Sequence, residues 1–236
     1  MTNGPTSNAF SLKRIELIEK HLSPENKRIL DIGCGVGDYS YYFQSHGGEA
    51  IGLDLRPIHI AKGHSKNKNV NYIIGDAQNI SIRSSTIDLV FINEVLEHVP
   101  DDEKVILESN HVLKNDGYIS IFAPNKFYPF EGHWNIGGFG VFPFLSWAPT
   151  IIRKWVFKLF KRNYIPIYTR SILKKMVSPL FNIIDIHEIL PGFKRYRKRV
   201  QFKKIIRIIE SLEKTPLKRL GVSIFIFAKK KVQLLS

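Results

Sequence analysis

Five short runs of this chain, residues 29–32, 50–55 (AIGLDL), 70–76 (VNYIIGD), 87–93 (IDLVFIN) and 117–125 (GYISIFAPN), are apolar on both faces of an extended strand. Strands of that kind need cover on two sides, and helical patterns lie between most of them. The arrangement that meets both conditions is a doubly wound α/β fold, a parallel sheet with helices on each face. An amphipathic stretch with Leu12, Ile15, Ile18 and Leu22 on one side precedes the first strand, and a helix is predicted from about Gly37 to His46 after it. At 236 residues the chain suffices for one domain with a sizeable core, or one domain with an elaboration.

In such a sheet ligands bind beyond the carboxyl ends of the strands, near the point where strand order reverses. The segment RILDIGCGVGDYS, residues 28–40, lies at that end of the first strand. Glycine allows a sharp turn and brings bare backbone N–H groups toward a ligand, while the helix that follows supplies its N-terminus. Gly33, Gly35 and Gly37 are spaced G-x-G-x-G, unlike the G-x-G-x-x-G of a pyrophosphate site. Asp54 ends the second strand, where a carboxylate can accept both hydroxyls of a ribose, and Asp76 ends the third, where it can accept a hydrogen bond from an exocyclic amine. Asp31 and Asp38 flank the glycines. So many acids would repel a pyrophosphate at close range. The expected ligand is therefore adenosine-like but cationic or zwitterionic.

Taken in order, ILDIGCGVGDYS, GLDL, GDA, IDLVFINEVLEHVPD and VLKNDGYISIFAPN resemble the signature of class I S-adenosylmethionine-dependent methyltransferases, over roughly residues 28–125. The resemblance implies a Rossmann-like sheet of seven strands in the order 3-2-1-4-5-7-6 with the last strand antiparallel, and residues 181–190 and 221–230 suit the sixth and seventh strands. It also implies S-adenosyl-L-methionine as cofactor. By family position Asp31, Gly33, Gly35 and Gly37 shape its methionine side, Asp54 meets the ribose, Asp76 with Ala77 the adenine, and Asn93 forms the floor beside the sulfonium. The implied reaction is an in-line displacement in which the protein mainly aligns acceptor, methyl group and sulfur. One domain over 1–236 is expected, with a cofactor-binding core over 1–125, an acceptor lid over 126–180, and the last two strands with a long basic connection over 181–236.

An oxygen acceptor of high pKa also needs a base, and candidates lie in two places. Glu94, Glu97 and His98 form E-x-x-E-H at the end of the fourth strand. This resembles the ubiquinone-biosynthesis O-methyltransferases, where matching residues are associated with a divalent metal, and two carboxylates with an imidazole can hold Mg²⁺ or Zn²⁺. Related methyltransferases with the same LEHV string use no metal; there Glu97 and His98 would cap and order the cofactor loop. The second place is the aromatic, glycine-rich segment 125–147, which carries Glu131 and His133. These two are candidates for an acid/base pair, or for part of a hydrophobic cover whose histidine only donates a hydrogen bond.

Charge is distributed unevenly. Residues 1–149 hold 13 Lys+Arg against 17 Asp+Glu, whereas residues 150–221 hold 19 against 4. A basic excess of that size suits an anionic partner: phospholipid, nucleic acid or a phosphorylated substrate. In TIIRKWVFKLFKR, Ile151, Ile152, Trp155, Val156, Leu159 and Phe160 are expected on one helical face, with Arg153, Lys154, Lys158, Lys161 and Arg162 largely opposite. A second basic amphipathic helix is expected over 196–214. Such helices suit a membrane interface, or lids with a wet basic face. The favoured reading is methyl transfer, preferably to oxygen, on a small hydrophobic or lipid-linked acceptor at an anionic membrane surface. Two alternatives are an RNA ribose methyltransferase using the basic segment and a cofactor-binding subunit without activity. With Cys34 as the single cysteine no internal disulfide forms. With no signal-peptide pattern and no spanning apolar run, a cytoplasmic protein, peripheral at the inner membrane face, is expected.

Overall fold

The structure, a computed structural model, describes residues 9–128, 145–159, 166–189, 215 and 219–232. Its strands are β1 (Arg28–Ile32), β2 (Glu49–Asp54), β3 (Asn71–Ile74), β4 (Ile87–Asn93), β5 (Leu113–Pro124), β6 (Phe181–Ile189) and β7 (Ser223–Lys230). They form one sheet in the order β3-β2-β1-β4-β5-β7-β6, with β7 antiparallel to both neighbours. Order and direction are those implied by the resemblance.

Six helices are described: α1 (Ala9–Glu19), α2 (Asp38–Ser45), α3 (Pro57–Lys66), α4 (Asp102–Val112), α5 (Thr150–Leu159) and α6 (Arg170–Val177). Strand alternation divides the core between the two faces of the sheet. On one face Ile29, Leu89, Phe91, Phe122, Phe225 and Phe227 pack with Ile15 and Ile18 of α1 and Phe43 of α2. On the other, Leu30, Ile32, Val90, Ile92, Ile121 and Ile226 pack with Val105 and Ile106 of α4 and Leu173 and Val177 of α6.

Register fixes what lies at the functional edge. Ile32 is level with Leu53 on β2 and with Ile92 on β4. The residues that leave these strands, Gly33, Asp54 and Asn93, therefore emerge side by side. After β5 the chain is pinned as well: Asn125, almost fully buried, donates through Nδ2 to the carbonyls of Arg219 (2.8 Å) and Gly221 (2.7 Å), and the amide of Lys126 donates to the carbonyl of Tyr168 at 2.7 Å.

Two elements differ from expectation. β5 begins at Leu113, not 117, because Leu113 already pairs with Ile87 before a bulge shifts the register to Leu89 opposite Tyr118. In α5 the inward residues are Arg153 and Phe157, only 2% and 3% exposed, while Ile151, Ile152, Trp155 and Leu159 face outward. Arg153 thus leaves the wet face on which the pattern set it. Phe160, Lys161, Arg162 and the helix expected over 196–214 lie outside the described residues. Among the described residues no helix is long and apolar enough to cross a membrane.

Candidate active site

Three left-handed glycines build the turn after β1: Gly33 (φ 67°), Gly35 (φ 57°) and Gly37 (φ 78°). These angles disfavour any residue with a Cβ. Space adds a second constraint at two of them, since a Cβ at Gly33 would run into Val95 and one at Gly37 into the ring of Tyr72. At Gly35 nothing lies within 4 Å of that position. The open side of the turn is at its centre.

Four N–H groups of this turn are bonded within the protein itself. Gly33 and Cys34 both donate to the carbonyl of Leu53, at 2.7 and 3.0 Å, and Gly37 donates to Cys34 at 2.9 Å. The amide of Gly35 donates to Oδ2 of Asp54 at 2.9 Å. With four of its amides used internally, the turn has little left to cradle a phosphate, and the carboxylates of Asp31 and Asp54 stand close to it.

Asp54 is nearly buried; Oδ1 accepts from the Arg56 amide at 2.8 Å, and Nδ1 of His59 lies 3.2 Å from the same oxygen. Asp31, 2% exposed, accepts from Oγ of Ser40 at 2.6 Å. Burial, reinforced by Asp54 and Asp38, pushes its carboxyl up to about 7. Asp76 accepts from the amide of Gln78 at 2.8 Å and from its Nε2 at 3.2 Å.

A cleft of about 450 Å³ opens where these strands end. Of the residues expected around a cofactor, Gly33, Asp54, Asp76 and Ala77 line it. Asp31, Gly35, Gly37 and Asn93 are not part of that lining, although Gly35 reaches it through its bond to Asp54. Asn93 accepts a hydrogen bond from Arg14, which is also ion-paired with Glu94. Glu94, itself left-handed (φ 55°), further accepts from Oγ of Ser223 at 2.7 Å.

Glu94 and His98 line the cleft, whereas the side chain of Glu97 is wholly buried. Burial, with the Glu94 carboxylate adding, pushes Glu97 up to about 9, so it keeps its proton at neutral pH. His98 has a half-exposed ring with Nε2 4.0 Å from Glu97. Glu94 is turned to Arg14 and Ser223, Glu97 inward and His98 outward, and among the described residues no three His, Cys, Asp or Glu converge as a metal site. The triad therefore does not fit Mg²⁺ in this arrangement. Glu131 and His133 lie outside the described residues.

Arg14, Arg56, His59 and Gln78 were not singled out from sequence. Arg14 carried a signal nonetheless: it sits four residues before Ile18, on the apolar side of α1, where a charge requires a buried partner.

Residues 30–121 match the methyltransferase domain family. Over that stretch the chain is similar to methyltransferase domains, in keeping with the resemblance to class I S-adenosylmethionine-dependent methyltransferases. Among curated relatives of this chain are the ubiquinone biosynthesis O-methyltransferases of Hydrogenovibrio crunogenus (36% identical over 120 residues, 49% of this chain and 50% of the relative) and Coxiella burnetii (30% over 117 residues, 48% and 50%). The chain spans about half the length of these relatives. Among solved structures, an S-adenosylmethionine-dependent methyltransferase from Mesorhizobium loti superposes with a TM-score of 0.69 at 18% identity, covering 96% of this chain and 100% of that one. This likeness is one of fold.

Family and fold imply S-adenosylmethionine, and the residues present fit it. By its chemistry the buried Asp31 carboxyl suits an ammonium group, and the space that a side chain at Gly35 would fill is open. A carboxylate has about four acceptor positions. In Asp54 the amides of Gly35 and Arg56 take two, leaving acceptor capacity for a ribose.

Proposed function

We propose that this protein transfers a methyl group from S-adenosylmethionine to a small hydrophobic or lipid-linked acceptor, preferably at oxygen, at a membrane surface. The observation that carries the donor is the carboxylate-rich cleft at the ends of β1, β2 and β4, beside a glycine turn that spends the amides of Gly33, Cys34, Gly35 and Gly37 on the protein itself. When bound, S-adenosylmethionine supplies an electrophilic methyl group on a sulfonium. Asp31 would hold the ammonium end, Asp54 the ribose and Asp76 with the Ala77 backbone the adenine. Asn93, fixed by Arg14, would form the floor. Alignment of this kind is the larger part of the catalysis a displacement needs.

His98 is the described residue best suited to take the acceptor's proton, since it lines the cleft with a half-exposed imidazole. Glu97 is proposed to order the loop beneath it, because a carboxyl that keeps its proton at neutral pH accepts none. The curated relatives named for ubiquinone biosynthesis support an aromatic hydroxyl on a hydrophobic body as the acceptor class. The test is incubation of the purified chain with methyl-labelled S-adenosylmethionine and a lysate that includes membranes, followed by separation into organic, nucleic-acid and small-polar fractions. Label in the organic fraction is expected. Label confined to RNA would replace this acceptor with a nucleic acid, and no label in any fraction would favour a subunit without activity.

A further inference from the structure

The outward face of α5 carries four exposed apolar side chains that the cleft does not use. Ile151 is 77% exposed, Trp155 63% and Leu159 60%, with Ile152 beside them. On a helix of 3.6 residues per turn these four fall within about 100° of arc. Lys154 and Lys158 border this stripe on one side, both exposed; Arg153 and Phe157 lie on the inward side, holding the helix to the protein. The apolar side chains are therefore not waiting to be buried by the fold, since α5 already has another face packed inward.

The position of this face relative to the cleft is also fixed. Oγ of Ser146 donates to the carbonyl of Tyr128 at 2.6 Å, and Nε1 of Trp147 donates to that of Phe127 at 3.1 Å. Those bonds tie the turn that leads into α5 to the residues directly after β5, the strand next to β4. Phe127 and Trp147 are themselves half exposed, so the apolar surface continues from α5 toward the end of the sheet where the cleft opens.

We propose that the exposed face of α5 docks on an anionic lipid bilayer, with Trp155 at the level of the headgroups and Lys158 on lipid phosphates. Charge complementarity selects this occupant. A tryptophan among branched apolar residues, bordered by cations and without an acid in the helix, is the composition that settles in a headgroup layer. The sequence stretch 150–221 that contains α5 holds 19 Lys+Arg against 4 Asp+Glu, an excess that an anionic surface attracts and a second copy of the chain repels. The inference deepens the proposed function and takes its purpose from that reading: a lipid-linked acceptor is met where it resides.

The test is flotation of the full chain with phosphatidylcholine vesicles, with and without phosphatidylglycerol, comparing the parent with the double variant Ile151→Ser/Trp155→Ala and with Lys158→Glu. The parent is expected to float with the anionic vesicles only. The double variant should lose roughly tenfold in partitioning, from the apolar area withdrawn, and Lys158→Glu should float only at lower salt. Unchanged S-adenosylmethionine affinity and melting temperature in both variants would locate the loss in docking rather than in folding. Failure of the parent to float, equal flotation of the double variant, or a dimer that the double variant dissolves would each overturn the proposal. Cofactor binding by calorimetry on the same samples separates that failure from failure of the methyltransferase reading.

Discussion

Arg14 of α1 is ion-paired with Glu94, which lies 80 residues further along the chain at the end of β4. The same guanidinium donates to Oγ of Ser223 at 3.0 Å and lies 5.2 Å from the centre of the Phe122 ring. An N-terminal helix thereby shapes the floor of the cleft. Removing one partner of a buried pair costs about 3–5 kcal/mol; because Glu94 is a quarter exposed and keeps Ser223, Arg14→Ala is expected to cost about 2 kcal/mol. Urea denaturation measures this, and Arg14→Lys should recover part of it.

With the ammonium group placed at Asp31 as proposed, cofactor affinity would depend on pH. The Asp31 carboxyl, pushed from 3.8 up to about 7 by burial, must give up its proton to receive an ammonium. Binding of S-adenosylmethionine should therefore tighten as pH rises toward 7, by about tenfold per unit at most, and release a proton measurable by calorimetry in buffers of different ionisation enthalpy. The folded state alone shows the opposite sign: between about 4 and 7 it binds more protons than the unfolded chain, so the Asp31 contribution to stability falls as pH rises. Asp31→Asn should flatten both profiles.

Two neighbouring glycines should fail in different ways. In Gly37→Ala the left-handed strain of about 1–2 kcal/mol adds to overlap with Tyr72, so the melting temperature should drop sharply. In Gly35→Ala only the strain applies, because the side chain would enter open space. Its main loss should be cofactor affinity, read by calorimetry on a protein that still folds.

At the far edge of the sheet, Asp185 on β6 accepts from both His21, just after α1, and His187, each at 3.0 Å. The two imidazoles hold its carboxyl below the usual range despite some burial. A depressed carboxyl stabilises the fold above its unfolded pKa and loses that contribution as pH falls through the folded one. Asp185→Asn should accordingly melt lower than the parent at pH 6, with the difference shrinking as pH falls below the ordinary carboxylate range.

The strands were legible because central parallel strands are apolar on both faces, and Ile29, Val90 and Phe91 are fully buried as that pattern requires. Asp54 and Asp76 were legible because strand ends are where ligands bind in this architecture. The use of the glycine turn was not, since whether an amide meets a ligand or the carbonyl of Leu53 depends on the neighbouring strand, which no local pattern encodes. Arg153 misled for a related reason. Helical periodicity separates apolar from charged residues, but it does not say which side the protein covers, and here an arginine went inward with Phe157 while a tryptophan went out.

The carbonyl of Leu53, which accepts two amides of the glycine turn, has a consequence for how ligands compete. It stitches the end of β2, next to Asp54, to the turn that follows Asp31 and β1, so on the proposed placement one rigid piece would hold both ends of a long ligand. Each end, once bound, presents the other at high effective concentration. Adenosine or methionine alone would forgo that advantage and bind far more weakly than halves of the whole. The demethylated product, which keeps both ends, would be retained, and its removal becomes part of the turnover this chain can sustain.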